Sequence, residues 1–256
     1  MEPQTLTQSL LIAASVGIAS GAVGSFVILR RMALVGDALS HVALPGIAIG
    51  LAWGFDPFWG VLVFLLGAAP LIWWLEGKTR LYADAIVGLL FVTSLALGVL
   101  FIPDAELLES LFGEFPSFSP LALFLVVFAA IAATLLVFVF TKRFLFAVVA
   151  PELARIDDKK MFGHLFLMLI FAFTVALGIK LVGTLLMGAL TVIPAAIAKN
   201  ISRSTVGYIV ISTVLGGAVS FGGALLAFRA GFLAGPTIIL VGVAVFLLSL
   251  AFARRF

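Results

Sequence analysis

An aspartate and a histidine four residues apart, Asp37 and His41, stand in an otherwise apolar stretch of the chain. Four residues is about one helical turn, so both side chains project from one face and can share a divalent cation or a proton. Carboxylate, imidazole and backbone oxygen are the metal donors left to this protein, because it has no cysteine. That absence excludes disulfides, thiolate zinc sites and iron–sulfur clusters. Ionisable groups inside a bilayer are costly and rare, so such a pair is read first as a functional site. Pro45 and Gly46, one turn further on, loosen the helix and turn backbone carbonyls toward the same path. The competing reading places the pair at the membrane surface, with Asp37 a helix-start residue bonded to an arginine such as Arg30 or Arg31.

The elements that hold this pair are membrane helices. Of the 256 residues 64% are hydrophobic and only 11% charged, against about a quarter charged in soluble domains. A mean hydropathy of +1.32 agrees. The calculated pI near 9.5 does not point to nucleic acid, because the basic residues sit in short connections and form no stripe with interleaved aromatics. The start, Met1-Glu2-Pro3-Gln4, lacks the positive region of a cleavable signal peptide. The expected fold is all-α, a polytopic membrane helix bundle forming a single transmembrane domain over residues 1–256.

Apolar runs lie at about 6–29, 33–53, 58–75, 85–103, 121–141, 163–179, 181–198, 205–228 and 235–252, which makes eight or nine transmembrane segments. Lys180 divides two of them, so 163–198 reads as two crossings or as one crossing and a half-helix. With nine crossings and the N-terminus outside, every basic residue except Lys180 and Arg229 falls on the cytoplasmic side, as does the C-terminus. The longest outside loop, 103–120, is acidic, with Asp104, Glu106, Glu109 and Glu114. The longest inside loop, 142–161, contains Pro151, Glu152, Leu153 and Arg155, and a proline followed by an acid predicts a short surface helix near 151–156. Such a helix is a docking handle or a solvated connection. Small residues four apart, Gly17 and Gly21, Gly46 and Gly50, Gly231 and Gly235, permit close helix contact.

Other polar residues carry less chemistry. His164 falls at the inner end of its span, and Asp84 precedes an apolar run as a helix cap would. Lys180 and Arg229 lie close enough to water to snorkel. Gly77-Lys78-Thr79 lacks the first glycine of a phosphate-binding loop, since Ile72 stands there.

The string Arg30-Arg31-Met32-Ala33-Leu34-Val35-Gly36-Asp37-Ala38-Leu39-Ser40-His41-Val42-Ala43-Leu44-Pro45-Gly46 resembles the signature of the ABC-type metal-importer permeases. Val182-Gly183 with the Leu-rich run ending in Ile193-Pro194-Ala195-Ala196, and Ala234 to Val241, are similar to the same family. The resemblance implies a homodimeric permease in the bacterial or archaeal inner membrane, surrounded by lipid. Two cytoplasmic ATP-binding subunits and an extracytoplasmic metal-binding protein would serve it. Asp37 and His41 map onto the family's metal-binding positions, and Pro151, Glu152, Leu153 and Arg155 onto its coupling helix. A glycine usually follows that helix, and Ile156-Asp157-Asp158-Lys159 stands there instead. The chain would be a transport subunit rather than an enzyme, with no permanently bound cofactor and with zinc as cargo ahead of manganese or iron. A proton-coupled secondary transporter of a divalent metal is the alternative. An intramembrane enzyme would need a nucleophile facing a base, and Ser40 and His41 are adjacent on the helix.

Overall fold

Inside a bilayer the backbone has no water to bond, so long apolar runs satisfy their own amides as helices. The computed structural model describes residues 3–79, 83–113, 118–149 and 158–252. Among the described residues there are ten α-helices: α1 (Pro3–Leu29), α2 (Ala33–Trp53), α3 (Pro57–Lys78), α4 (Ala83–Phe101), α5 (Asp104–Phe112), α6 (Pro120–Val149), α7 (Asp158–Val182), α8 (Thr184–Ile201), α9 (Thr205–Ala230) and α10 (Ala234–Ser249). Eight are long and apolar enough to cross a membrane, and Ala85–Phe101 is a shorter apolar helix. The expected all-α polytopic bundle of eight or nine spans is what the chain forms.

Helix α1 is the axis of the bundle, packed against α9 and also touching α6, α7 and α8. It is apolar on all sides, the pattern of a helix enclosed by others. Gly17 and Gly21 bring it backbone-close to Gly216 and Ser212 of α9, and Gly46 and Gly50 bring α2 onto Gly60 and Pro57 of α3. The third small-residue pair behaves differently, since Gly231 is the left-handed cap of α9 in open space. Hydroxyls add cross-links where the helices are closest: Tyr208 Oη donates to Ser25 O at 3.1 Å and Ser212 Oγ to Gly21 O at 2.6 Å. Helix α6 instead turns Phe124, Phe128, Ile131 and Leu135 outward at helical spacing, as a lipid-facing stripe does.

Three expectations about the chain's connections change. The break in 163–198 lies at Gly183, with φ +84, and not at Lys180, which stays inside α7. Thus 163–198 forms two helices. The acidic loop 103–120 contains α5. The inside loop expected at 142–161 is narrower, because α6 runs on to Val149 and α7 has begun by Asp158. Burial of Phe144 explains the extension: its ring meets Phe26 edge-on at 5.4 Å and lies near Phe140 and Phe166. Pro151, Glu152, Leu153 and Arg155 lie outside the described residues.

Candidate metal-translocation site

The approach to the site is the tight turn between α1 and α2. Arg31 takes φ +58, the left-handed conformation, while Met32 N–H donates to Val27 O at 2.9 Å and Arg31 N–H to Ile28 O at 3.0 Å. This is a Schellman closure with an arginine where glycine is usual. It starts α2 at Ala33, so Asp37 lies inside the helix and is no helix-start residue. Burial lowers the Arg30 guanidinium below its ordinary value, and the Glu76 carboxylate acts against that shift.

Within α2, Ser40 Oγ donates to Gly36 O at 2.9 Å, and His41 Nδ1 lies 3.0 Å from Asp37 O. A carbonyl oxygen only accepts, so Nδ1 carries a proton, and in the neutral ring the lone pair that binds a metal is on Nε2. The sequence places His41 and Asp37 side by side; the structure shows that the imidazole reaches the aspartate's backbone carbonyl. The ring is buried, 3% exposed, and meets Phe91 of α4 edge-on at 4.7 Å. Ser40 is occupied by its own helix, which leaves no Ser–His relay. Pro45 lacks an amide N–H, so the His41 carbonyl has no partner at the usual helical position. The helix nevertheless continues through Pro45 to Trp53.

Asp37 differs from its neighbour by being exposed in the single chain. Its backbone is covered by α8, where Gly188 sits so close that a Cβ there would lie 2.7 Å from Asp37 Cα and 3.0 Å from its Oδ1. Gly188 belongs to the second signature string, and sequence reading assigned it no part in the site. A glycine in a Leu-rich run signals close approach, but not which of the other helices approaches. Among the described residues no three His, Asp or Glu side chains gather, so one chain offers the pair alone. His164 belongs to α7 and Asp84 to α4, and their side chains lie outside the described residues.

A second polar region lies toward the α5 end. A cavity of about 300 Å³ runs between α2, α3, α5 and α7, lined by Ile47, Val61, Glu106, Glu109, Ile179 and Lys180 among others. Neither Asp37 nor His41 lines this cavity, which meets α2 at Ile47 and Leu51, further along the helix. Lys180 Nζ meets Asp56 Oδ1 at 3.4 Å beside the Phe118 ring, and Asp56 also accepts from Phe58 N–H at 2.9 Å to cap α3.

Residues 2–253 match the family described as the ABC 3 transport family. The chain is 32% identical to the manganese import system permease protein ScaB of Streptococcus gordonii, over 98% of this chain and 92% of that one. It is 31% identical to the high-affinity zinc uptake system membrane protein ZnuB of Haemophilus influenzae, over 96% of this chain and 97% of that one. A solved structure of PsaBC from Streptococcus pneumoniae in complex with Fab superposes with a TM-score of 0.84 at 33% identity, covering 96% of this chain and 90% of that one. These likenesses extend along the whole bundle and bear out the resemblance carried by residues 30–46, 182–198 and 234–241 to permeases of ABC metal importers: the chain belongs to the ABC 3 transport family.

Proposed function

We propose that this chain is the membrane permease of an ABC importer, passing Zn²⁺ or Mn²⁺ through a site that two copies build from Asp37 and His41. The observation that carries this reading is the split character of the pair. His41 is buried and oriented with Nε2 free for a ligand, while Asp37 is exposed on a membrane helix. Ionisable side chains within membrane spans are rare and costly, which favours a metal or a polar path over lipid as the neighbour of this exposed aspartate. A dimer axis beside Asp37 would bring two carboxylates and two imidazoles together, a four-ligand N/O set that suits zinc and is also open to manganese. The ion is cargo, so the site must bind it and release it.

Under the topology derived from loop charge, Asp37 lies four residues into α2 from its cytoplasmic end at Ala33, about 6 Å along the axis, and packs there against Gly188 of α8. The same topology puts α5 and the turn bearing Trp53, Phe55 and Trp59 on the outer side. ATP hydrolysis falls to separate cytoplasmic subunits, engaged through the segment around Pro151, Glu152, Leu153 and Arg155. An extracytoplasmic binding protein would deliver the ion. Family membership leaves the proton-coupled alternative without support. The test is ATPase activity of the assembled complex with its binding protein, titrated with Zn²⁺, Mn²⁺ and Fe²⁺. Stimulation by zinc or manganese that is lost in Asp37→Asn supports the reading, and equal stimulation in that variant refutes the site.

A further inference from the structure

Two glycines with left-handed backbones meet where α5 ends and α8 begins. Gly113, φ +70, closes α5, and Gly183, φ +84, precedes α8. A Cβ on Gly113 would collide with Leu181 O and lie 2.7 Å from Gly183 N; one on Gly183 would collide with Leu111 O and lie 2.6 Å from Gly113 N. Gly235, at the start of α10, closes on the same place, with its Cβ position 2.5 Å from Phe112 O. The contact is therefore backbone on backbone. Side chains can absorb a displacement by changing rotamer, but close-packed backbones transmit it.

Gly188 follows five residues later on the same unbroken helix, about 7.5 Å along its axis. It rests on Asp37 with no side chain between them, its Cβ position 2.7 Å from Cα, 3.0 Å from N and 3.0 Å from Oδ1. The start of α8 is fixed by backbone contacts and by the burial of Met187 against Gly178 of α7, not by a polar cap. Gly183 offers no side-chain cap, and the buried Thr184 Oγ1 has no hydrogen-bond partner. The beginning of α8 is thus located by what it packs against: α5 and α10 at Gly183, α7 through Met187, and Asp37 at Gly188.

We propose that Gly188 is a positioning residue that sets where the Asp37 carboxylate stands, and that α5 sets Gly188 through the Gly113–Gly183 contact. The metal site and the outer face are then coupled. This inference rests on the reading of Asp37 as a metal ligand. Coupling of binding is reciprocal: whatever α5 does to the site, metal in the site must do to α5.

The chain has no cysteine, so Leu108→Cys on α5, where Leu108 is 61% exposed, introduces a single thiol for an environment-sensitive fluorophore. The purified permease dimer is titrated with Zn²⁺, with metal binding measured in parallel. The expected result is a fluorescence change whose midpoint equals that of binding. In the labelled Gly188→Ala variant, the added methyl should lower Zn²⁺ affinity by roughly tenfold to a hundredfold, the range seen when a ligand's supporting contact is lost. It should also change the affinity ratio of Zn²⁺ to Mn²⁺. Gly222→Ala, whose Cβ position is in open space, should change neither. A silent label at saturating Zn²⁺ in the otherwise wild-type protein overturns the coupling, and that result stands even if Gly188→Ala does not fold. A folded Gly188→Ala with affinity within twofold of wild type overturns the positioning role. Wild-type Zn²⁺ affinity in Asp37→Asn would instead remove the underlying site, a separable result.

Discussion

His41→Gln is the substitution for which the structure separates loss of function from loss of fold. The imidazole contributes one hydrogen bond, Nδ1 to Asp37 O at 3.0 Å, and one edge-on contact with Phe91 at 4.7 Å. A hydrogen bond is worth about 1 kcal/mol net and an aromatic contact about 0.5–1.5 kcal/mol, and glutamine can remake part of the first. The expected destabilisation is therefore about 1–2 kcal/mol. The effect on metal is larger. Structural zinc sites gain roughly 10–16 kcal/mol from four ligands, or about 3 kcal/mol each, and the substitution removes one ligand from each copy. Even one lost ligand corresponds to more than a hundredfold in affinity, since about 1.4 kcal/mol is a factor of ten. The assay is isothermal titration of the purified dimer with Zn²⁺ against a competing chelator, alongside thermal unfolding and size-exclusion of both proteins. Metal affinity within threefold of wild type, in a variant that is folded and dimeric, would refute the assignment of Nε2 as a ligand.

Four further outcomes follow from the same structure. Because imidazole binds metal only when neutral, Zn²⁺ affinity of the wild type should fall on acidification more steeply than that of His41→Gln; parallel pH profiles would exclude His41. Arg31→Gly relieves a left-handed residue that costs roughly 1–2 kcal/mol, so the unfolding temperature should rise; an unchanged or lower value counts against strain in that turn. Lys180→Gln breaks an ion pair whose side chains are 43% and 54% exposed, so stability should change by at most about 1 kcal/mol, checked by thermal unfolding with and without high salt. Reversing Glu152 and Arg155 together should weaken co-purification with the ATP-binding subunits or uncouple hydrolysis from transport, and an unchanged complex with unchanged coupling would place the docking surface elsewhere.

Local sequence was sufficient for whatever depends on local spacing. Apolar length alone determined the spans, because a bilayer forces any long apolar run to satisfy its backbone as a helix. The four-residue interval put Asp37 and His41 on one face, and the strings around residues 30–46 and 182–198 carried the family. Only the tertiary structure decided how the pair is held. The His41 proton is directed at a backbone carbonyl rather than a carboxylate, because the geometry of α2 brings Asp37 O within 3.0 Å of the ring. The break in 163–198 falls at Gly183, where α5 approaches too closely for any side chain, although Lys180 marks the charge boundary. Likewise Gly188 supports Asp37 from about 150 positions away in the chain. Hydropathy and helical period report what each segment faces on average. Which backbone touches which across the bundle depends on the packing of all the helices together, and no local pattern encodes that.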